Sequence, residues 1–239
     1  MTTVVASQPM LFPWPGFFEH LSLADVYIDA DDMQFSKGSR TNRIQIKWGD
    51  ERRWLTIPLM DSGAFQPISQ LRATDERWRS KHRALLAQSL KGAPFRDHAL
   101  GILDAAYAHE RLCDLLSAGI AEAASYLGIS PKRWVRTSEL NLEGKSSARA
   151  LALVRSVGGT RYITGHGAAN YLEHTEFEAA GVAVEYMRYS LTPWPQGGAS
   201  FSPYVSILDL IGWTGPRAAE YLRPSTLGWR NFLSERAPN

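Results

Sequence analysis

The chain has 239 residues, of which 44% are hydrophobic and 21% charged, enough apolar material to bury a core without disulfides and too much for a disordered chain. Its 26 Lys and Arg face 24 Asp and Glu, a net charge of +2 that excludes nonspecific nucleic-acid binding as the main role, because neutralising many phosphates needs a clear basic excess. The one cysteine, Cys113, can close no intrachain disulfide and rules out a Cys-rich zinc site.

The segment MTTVVASQPM has no basic stretch and no long apolar one, so it does not read as a secretory signal. Thr2 to Ser7 is short and β-branched, the pattern of a strand buried on both faces. Pro9, Pro13 and Pro15, followed by Gly16, keep Gln8 to Phe18 out of regular structure, and a helical turn follows over Phe17 to Leu21. Asp25 to Ala30 predicts a second strand, with Asp29, Asp31 and Asp32 at its end. Arg43 to Trp48 alternates apolar and polar residues, Trp54 to Leu59 does so less cleanly, and Gly49-Asp50 between them predicts a hairpin. Trp78, His82, Leu85, Leu86 and Leu90 lie at helical spacing, stopped by Lys91-Gly92-Ala93-Pro94. Asp97 to Ala108 and Glu110 to Leu127 read as helices. The latter contains Arg111, Asp114 and Glu122 and falls short of the ~18 uninterrupted apolar residues of a membrane span, so no membrane insertion is expected and the cytoplasm is the expected compartment.

Ser146 to Val157 is helical and ends at Gly158-Gly159. Arg161 to Thr164 predicts a strand, Gly165-His166-Gly167 a turn, Ala168 onward a helix, and Val182 to Tyr186 a further strand. This strand–helix–strand order suggests a parallel unit. Tyr189 to Pro203 is a long loop, and Val205 to Ile211 and Pro216 to Leu222 are terminal helices. The expected fold is α/β, a single domain over residues 1–239: a mostly parallel sheet with helices on both faces, an N-terminal β-hairpin and a helical insert at about 75–128.

Several segments could carry chemistry. The rigid loop after the first strand would present Gln8 and Trp14 at a strand's carboxyl end, where open α/β sheets bind ligands, or it is a stiff aromatic crossover. Asp32, Gln34, Lys37, Asn42 and Arg43 crowd the stretch between two strands. Its close carboxylates could hold a divalent cation or act as base and orienter, and its cations could meet a phosphate or carboxylate, or the charges pair among themselves in solvent; no spacing there matches a metal motif. Gly165, His166 and Gly167 before a helix suit an anion, as they also suit a tight turn. Asp209 sits among apolar neighbours, where an acid is either paired or raised in pKa, and His82 shares its helical face with Trp78, so packing competes with a basic role. Cys113, in an apolar helix, reads as inert core. The chain has no GxxxxGK[ST], GxSxG, HExxH or CxxC, which argues against P-loop NTPases, α/β-hydrolases and zincins.

Gln8-Pro9 with FPWPGFF, then DADDMQFSKGSRTNRI (Asp29 to Ile44), Trp54 to Pro58, Tyr162-Ile163-Thr164-Gly165 with Gly167-Ala168 and Tyr171-Leu172, then Gln196 and Phe201 to Asp209, together resemble the WbqC-like family from about residue 4 to 215. The resemblance implies a member of a surface-polysaccharide, O-antigen or natural-product gene set. It implies a transferase of acyl or aminoacyl type that forms an amide on an amino sugar or small biosynthetic amine. The alternative is a non-catalytic module that holds a sugar nucleotide or a carrier-protein partner. It names no cofactor and leaves open whether ATP or a thioester activates the donor. A small-molecule substrate is expected, with an acyl carrier protein as a candidate partner. The matched polar positions, Gln8, Asp32, Gln34, Lys37, Asn42, Arg43, Gln196 and Asp209, become the best site list; among possible bases Asp32 ranks first, Asp209 second and His82 third. The order of strand, W-P-G-F loop, short helix and strand is also similar to the layout of the HxGH nucleotidylyltransferases. Trp14 and Phe17 stand in the slots of the two histidines, so the adenylyl-transfer groups are missing.

Overall fold

The structure, a computed structural model, describes residues 1–61 and 65–236. In β1 (Thr3–Ser7), Val4 and Val5 are adjacent and both buried, so they must face opposite ways across a sheet covered on both sides. β1 pairs in parallel with β2 (Val26–Asp29) on one side and with β6 (Arg161–Thr164) on the other. β5 (Arg133–Arg136) extends the sheet beyond β2, and β7 (Ala183–Arg188) extends it beyond β6. β8 (Ser225–Gly228) closes the far edge antiparallel, giving the order β5-β2-β1-β6-β7-β8.

The alternation separates two cores. Val5, Tyr27, Ile163 and Met187 pack against α1 (Pro15–Ser22), α3 (Arg96–Tyr107), α4 (Leu112–Tyr126) and α7 (Ile207–Thr214). Val4, Ile28, Tyr162, Val184 and Tyr186 pack against α5 (Ser146–Ser156), α6 (His174–Ala179) and α8 (Trp229–Arg236). The fold is therefore α/β with a mostly parallel sheet and helices on both faces, as its pattern predicts. α2 (Arg77–Ser89) packs beside α3 and against the hairpin, whose Ile44, Ile46 and Leu55 join the first core.

The expected elements differ in several places. The stretch expected to stay irregular through Phe18 turns helical at Pro15, where α1 begins, because proline is tolerated in the first turn of a helix. The second hairpin strand, expected over Trp54 to Leu59, is β4 (Glu51–Thr56), which pairs with β3 (Arg43–Trp48). Gly49, in the left-handed region, and Asp50 form the tight turn, so Trp48 faces Glu51 and the register is fixed three residues earlier. The helix expected from Ala168 is a 3₁₀ turn over His166–Asn170 followed by the short α6, and Pro216 to Leu222 is likewise a 3₁₀ turn, Gly215–Tyr221. β5, β8 and α8 have no expected counterpart: β5 and β8 are four-residue edge strands whose ladder partners, rather than their own alternation, make them strands. No helix among the described residues is long and apolar enough to cross a membrane.

Close packing between α5 and the central strands passes through Gly159. A Cβ there would lie 2.5 Å from Val4 Cγ2, 2.7 Å from Val154 Cγ1 and 2.8 Å from the Val154 carbonyl oxygen. Gly159→Ala should therefore cost about 1–3 kcal/mol of unfolding free energy through overpacking, measured by urea denaturation; an unchanged midpoint would contradict this account of the β1–α5 contact.

Candidate active site

The chain leaves β1 for β2 and β5 on one side, then crosses back through α5 to β6 on the other. The reversal parts the loops at the carboxyl ends of β1 and β6, the position where open parallel sheets bind ligands. A cavity of about 320 Å³ opens there, on the face covered by α5. Ala6 and Ala30 leave the space; Ser7, Met33, Tyr162, Tyr171 and α5 wall it. From α5 come Ser146, Arg149, Ala150 and Leu153. Ser146 has a positive φ, 50°, uncommon for a residue other than glycine, and no side chain caps this end of the 11-residue helix. The positive end of the α5 dipole and the Arg149 guanidinium thus meet at one wall.

Arg149 pairs with Asp32 Oδ2, and Thr137 Oγ donates to Asp32 Oδ1 at 2.7 Å. Arg149 Nε is buried without a hydrogen-bond partner among the described residues. The other two acids of the cluster point elsewhere. Asp31 is buried and accepts from the Ser138 amide (2.9 Å) and hydroxyl (2.7 Å), tying the end of β2 to the turn after β5. Asp29 is fully buried, accepts from Ser117, and leaves Oδ1 unpartnered; burial pushes its carboxyl up to about 6, against the hydrogen bond from Ser117. Tyr162 is buried, and burial raises its phenol, which stays protonated and able to donate. Among the described residues no cluster of three His, Cys, Asp or Glu could hold a metal.

The structure distributes the sequence candidates among four places. Asp32 and Gln8 adjoin the cavity, the Gln8 amide reaching Met33 Sδ at 3.9 Å. Asn42, Arg43 and Trp14 lie around the hairpin. Asn42 donates to the Ile57 carbonyl at 2.9 Å and accepts the Ile57 amide at 2.8 Å, while Arg43 donates to the carbonyls of Gly38 and Ser39 and covers Trp54. Trp14 packs between the rings of Tyr189 and Tyr204, and Gln34 and Lys37 are exposed nearby in sequence. Gly165, His166 and Gly167 belong to the turn after β6. His166 Nε2 donates to the Met187 carbonyl at 2.7 Å, with its ring against Tyr189 and Phe232, and the turn delivers Tyr171 to the cavity.

The fourth place is the interior. Asp209 is buried on α7 and accepts from Trp194 Nε1 at 2.8 Å, while its Oδ2 has no hydrogen-bond partner among the described residues. Burial pushes its carboxyl up to about 7, opposed by Trp194, Gln196 and the positive charge of Lys47. Gln196 forms a two-way pair with the Ser202 backbone (3.0 and 2.9 Å) that closes the loop above it. His82 Nε2 donates to the Thr56 carbonyl at 3.2 Å and Nδ1 accepts from the Tyr107 hydroxyl at 3.0 Å; burial lowers its pKa to about 4. Cys113 is buried, and burial pushes its thiol up to about 12.

A broader depression of about 810 Å³ lies between the starts of α2 and α4, but its Arg79 is already held by Glu76 and by the Tyr107 and His109 carbonyls. Arg149, Ser146, Tyr162, Tyr171 and Thr137 were absent from the sequence candidates. The one local signal was Ser-Ser-x-Arg at the start of a helix, and nothing in it says which strands that helix crosses.

The profile of the WbqC-like protein family matches residues 8–221, from Gln8 beside the cavity through Asp32, Arg149 and Tyr171 to the turn after α7. The chain belongs to the WbqC-like protein family. It is 30% identical over 228 residues to the uncharacterized protein Rv1507c of Mycobacterium tuberculosis, covering 93% of this chain and 98% of that relative. No solved structure matches it significantly. The family span includes the whole switch-point cavity except Ala6 and Ser7 and leaves out β8 and α8.

In this WbqC-like chain the buried acid and histidine contribute opposite slopes of stability against pH over nearly the same window. Asp209 binds its proton near pH 7 when folded and near 3.8 when unfolded, so the native state holds the extra proton between those values and stability falls as pH rises through them. His82 shows the reverse: about 4 folded against 6.5 unfolded, so stability falls as pH drops below 6.5. His20, whose Nε2 donates to the Ile163 carbonyl, adds to the His82 slope because burial also lowers it to about 4. Asp209→Asn should therefore make the denaturation midpoint rise more steeply with pH between about 4 and 7, and His82→Gln should make it rise less steeply over the same interval. A variant profile parallel to wild type would remove that residue from the account.

Proposed function

We propose that this WbqC-like chain is a transferase that forms an amide between an acyl or aminoacyl donor and an amino sugar or other small amine, with the reaction at the switch-point cavity. The observation that carries the reading is a cation–carboxylate pair, Arg149 with Asp32, at the wall of a cavity at the carboxyl ends of β1 and β6. The volume, about 320 Å³, lies at the small end of ligand sites and suits a reacting group or a small amine rather than a whole nucleotide. In this reading the amine nitrogen attacks the donor carbonyl, the leaving group departs, and Asp32 accepts the nitrogen's proton through a lone pair not used by Arg149 or Thr137. Arg149, the start of α5 and the Tyr162 phenol face the oxygen on which negative charge develops.

One observation favours the alternative of a binding module without chemistry. Both Asp32 oxygens already have protein partners, an arrangement that also serves to fix Arg149 as a clamp on an anionic ligand. Incubation with candidate amines and acyl donors, read by mass spectrometry, separates the two: a product mass supports transfer, and binding without product supports the module. For a transferase, Asp32→Asn should lower turnover by ~10²–10⁴-fold with little change in ligand affinity. Wild-type turnover in that variant would remove Asp32 as the base. Arg149→Lys should weaken binding, because the fork is lost while the charge remains.

A further inference from the structure

On the hairpin, two guanidinium groups lie over one indole and a third stands on the same strand face beside it. Arg43 lies over the Trp54 ring with its guanidinium carbon 4.4 Å from the centroid, and Arg40 lies 5.8 Å from the same centroid. Arg52 is on the same face of β4 as Trp54, two residues away, and donates to Gln45 Oε1. Each head is held by neutral oxygens: Arg43 by the Gly38 and Ser39 carbonyls, Arg40 by the Tyr204 carbonyl, Arg52 by the Gln45 amide. Among the described residues, none of the three forms an ion pair with a carboxylate, whereas eleven other arginines do. The nearby acids are committed elsewhere: Asp50 accepts the Ala199 and Ser200 amides, and Glu51 pairs in register with Trp48 on the opposite face.

Like charges this close repel: the positive charges of Arg43 and Arg52, together with burial, which is the larger cause, hold the Arg40 pKa below its usual value. An arrangement that fixes three cations without neutralising them is prepared for an anion of matching charge. A carboxylate brings one negative charge; a phosphate monoester brings about two, and its oxygens suit the planar donor fork of arginine. Cation–π contact with Trp54 holds the Arg43 and Arg40 heads, and Gln45 holds that of Arg52, so less freedom is lost on binding.

We propose that Arg40, Arg43 and Arg52, arranged about Trp54, form a binding site for a phosphate or diphosphate group of a small-molecule ligand. The site is separate from the α5 cavity, although the loop after β1 serves both, with Gln8 at one end and Trp14, beside Arg40 and Arg43, at the other. The phosphate belongs either to a nucleoside diphosphate or to a phosphopantetheine arm, and the two share the chemistry the arginines read.

Titration calorimetry of the full chain with inorganic pyrophosphate, with tryptophan fluorescence followed in parallel, tests this without reference to turnover. A failure here therefore leaves the transfer reading standing, and the reverse holds too. Pyrophosphate should bind, and added salt should weaken it because the site is partly exposed. Arg40→Ala and Arg52→Ala should each weaken it about tenfold or more, and Arg52→Glu should abolish it. Arg52→Lys should fall between, and Trp54→Leu should weaken binding with the melting temperature retained. UDP and 4′-phosphopantetheine then distinguish the sources, the tighter binder naming the ligand class. The proposal is overturned if pyrophosphate binds wild type no better than the Arg40→Ala/Arg52→Ala double variant, or if UDP binds while pyrophosphate does not, since the nucleoside would then be the group recognised.

Discussion

The parallel pairing of β1 on both of its edges is the constraint from which the rest follows. A central strand with Val4 and Val5 turned to opposite faces demands helices above and below, and parallel neighbours demand crossovers long enough to supply them. Because one crossover goes to β2 and a later one returns to β6, the loops at the carboxyl ends diverge above β1 itself. The cavity is the space left by that divergence, with Ala6 and Ala30 as its floor where larger side chains would fill it.

At the end of β2 and in the interior the protein buries more carboxylate than it neutralises. Asp31 is fully used as an acceptor for the Ser138 amide and hydroxyl, which offsets much of the cost of burying its charge. Asp29 and Asp209 each keep one oxygen without a partner, and burial raises both. They are therefore held in the interior by packing at some expense in stability. Asp32, one residue beyond Asp31, differs because Arg149 reaches it from α5. Four residues of sequence thus contain a buried, half-neutralised acid, a structural tie and a charged group at the cavity, and the difference lies in what each carboxylate meets across the fold.

The near-zero net charge conceals strong local imbalance. The cations around Trp54 are stabilised by an aromatic ring and carbonyl oxygens in place of carboxylates, whereas Arg161 with Glu185 and Arg136 with Asp114 are complete pairs. A balanced total of Lys, Arg, Asp and Glu therefore carries little information about where an anion could bind; the distribution decides it.

The sequence by itself determined the class of fold, the positions of β1, β2, β6 and the long helices, and the family. Each of those rests on local pattern: Thr3 to Ser7 is β-branched, Leu86 and Leu90 repeat at helical spacing, and FPWPGFF is a contiguous string. It also brought forward Asp32 and Gln8, since a polar residue just after a buried strand lies at a carboxyl end wherever the sheet is parallel. It did not reveal β5, β8 or α8, which are short and gain their structure from neighbours already in place. Nor did it reveal Arg149 or Tyr171. Arg149 is 117 residues from Asp32, and only the passage of α5 across β2 and β1 brings them together. The partners of His82 and Asp209 were equally hidden: a spacing of three or four residues marks a buried face, but Thr56, Tyr107 and Trp194 arrive there through tertiary packing, because a hydrogen bond between distant segments leaves no periodic trace in either one.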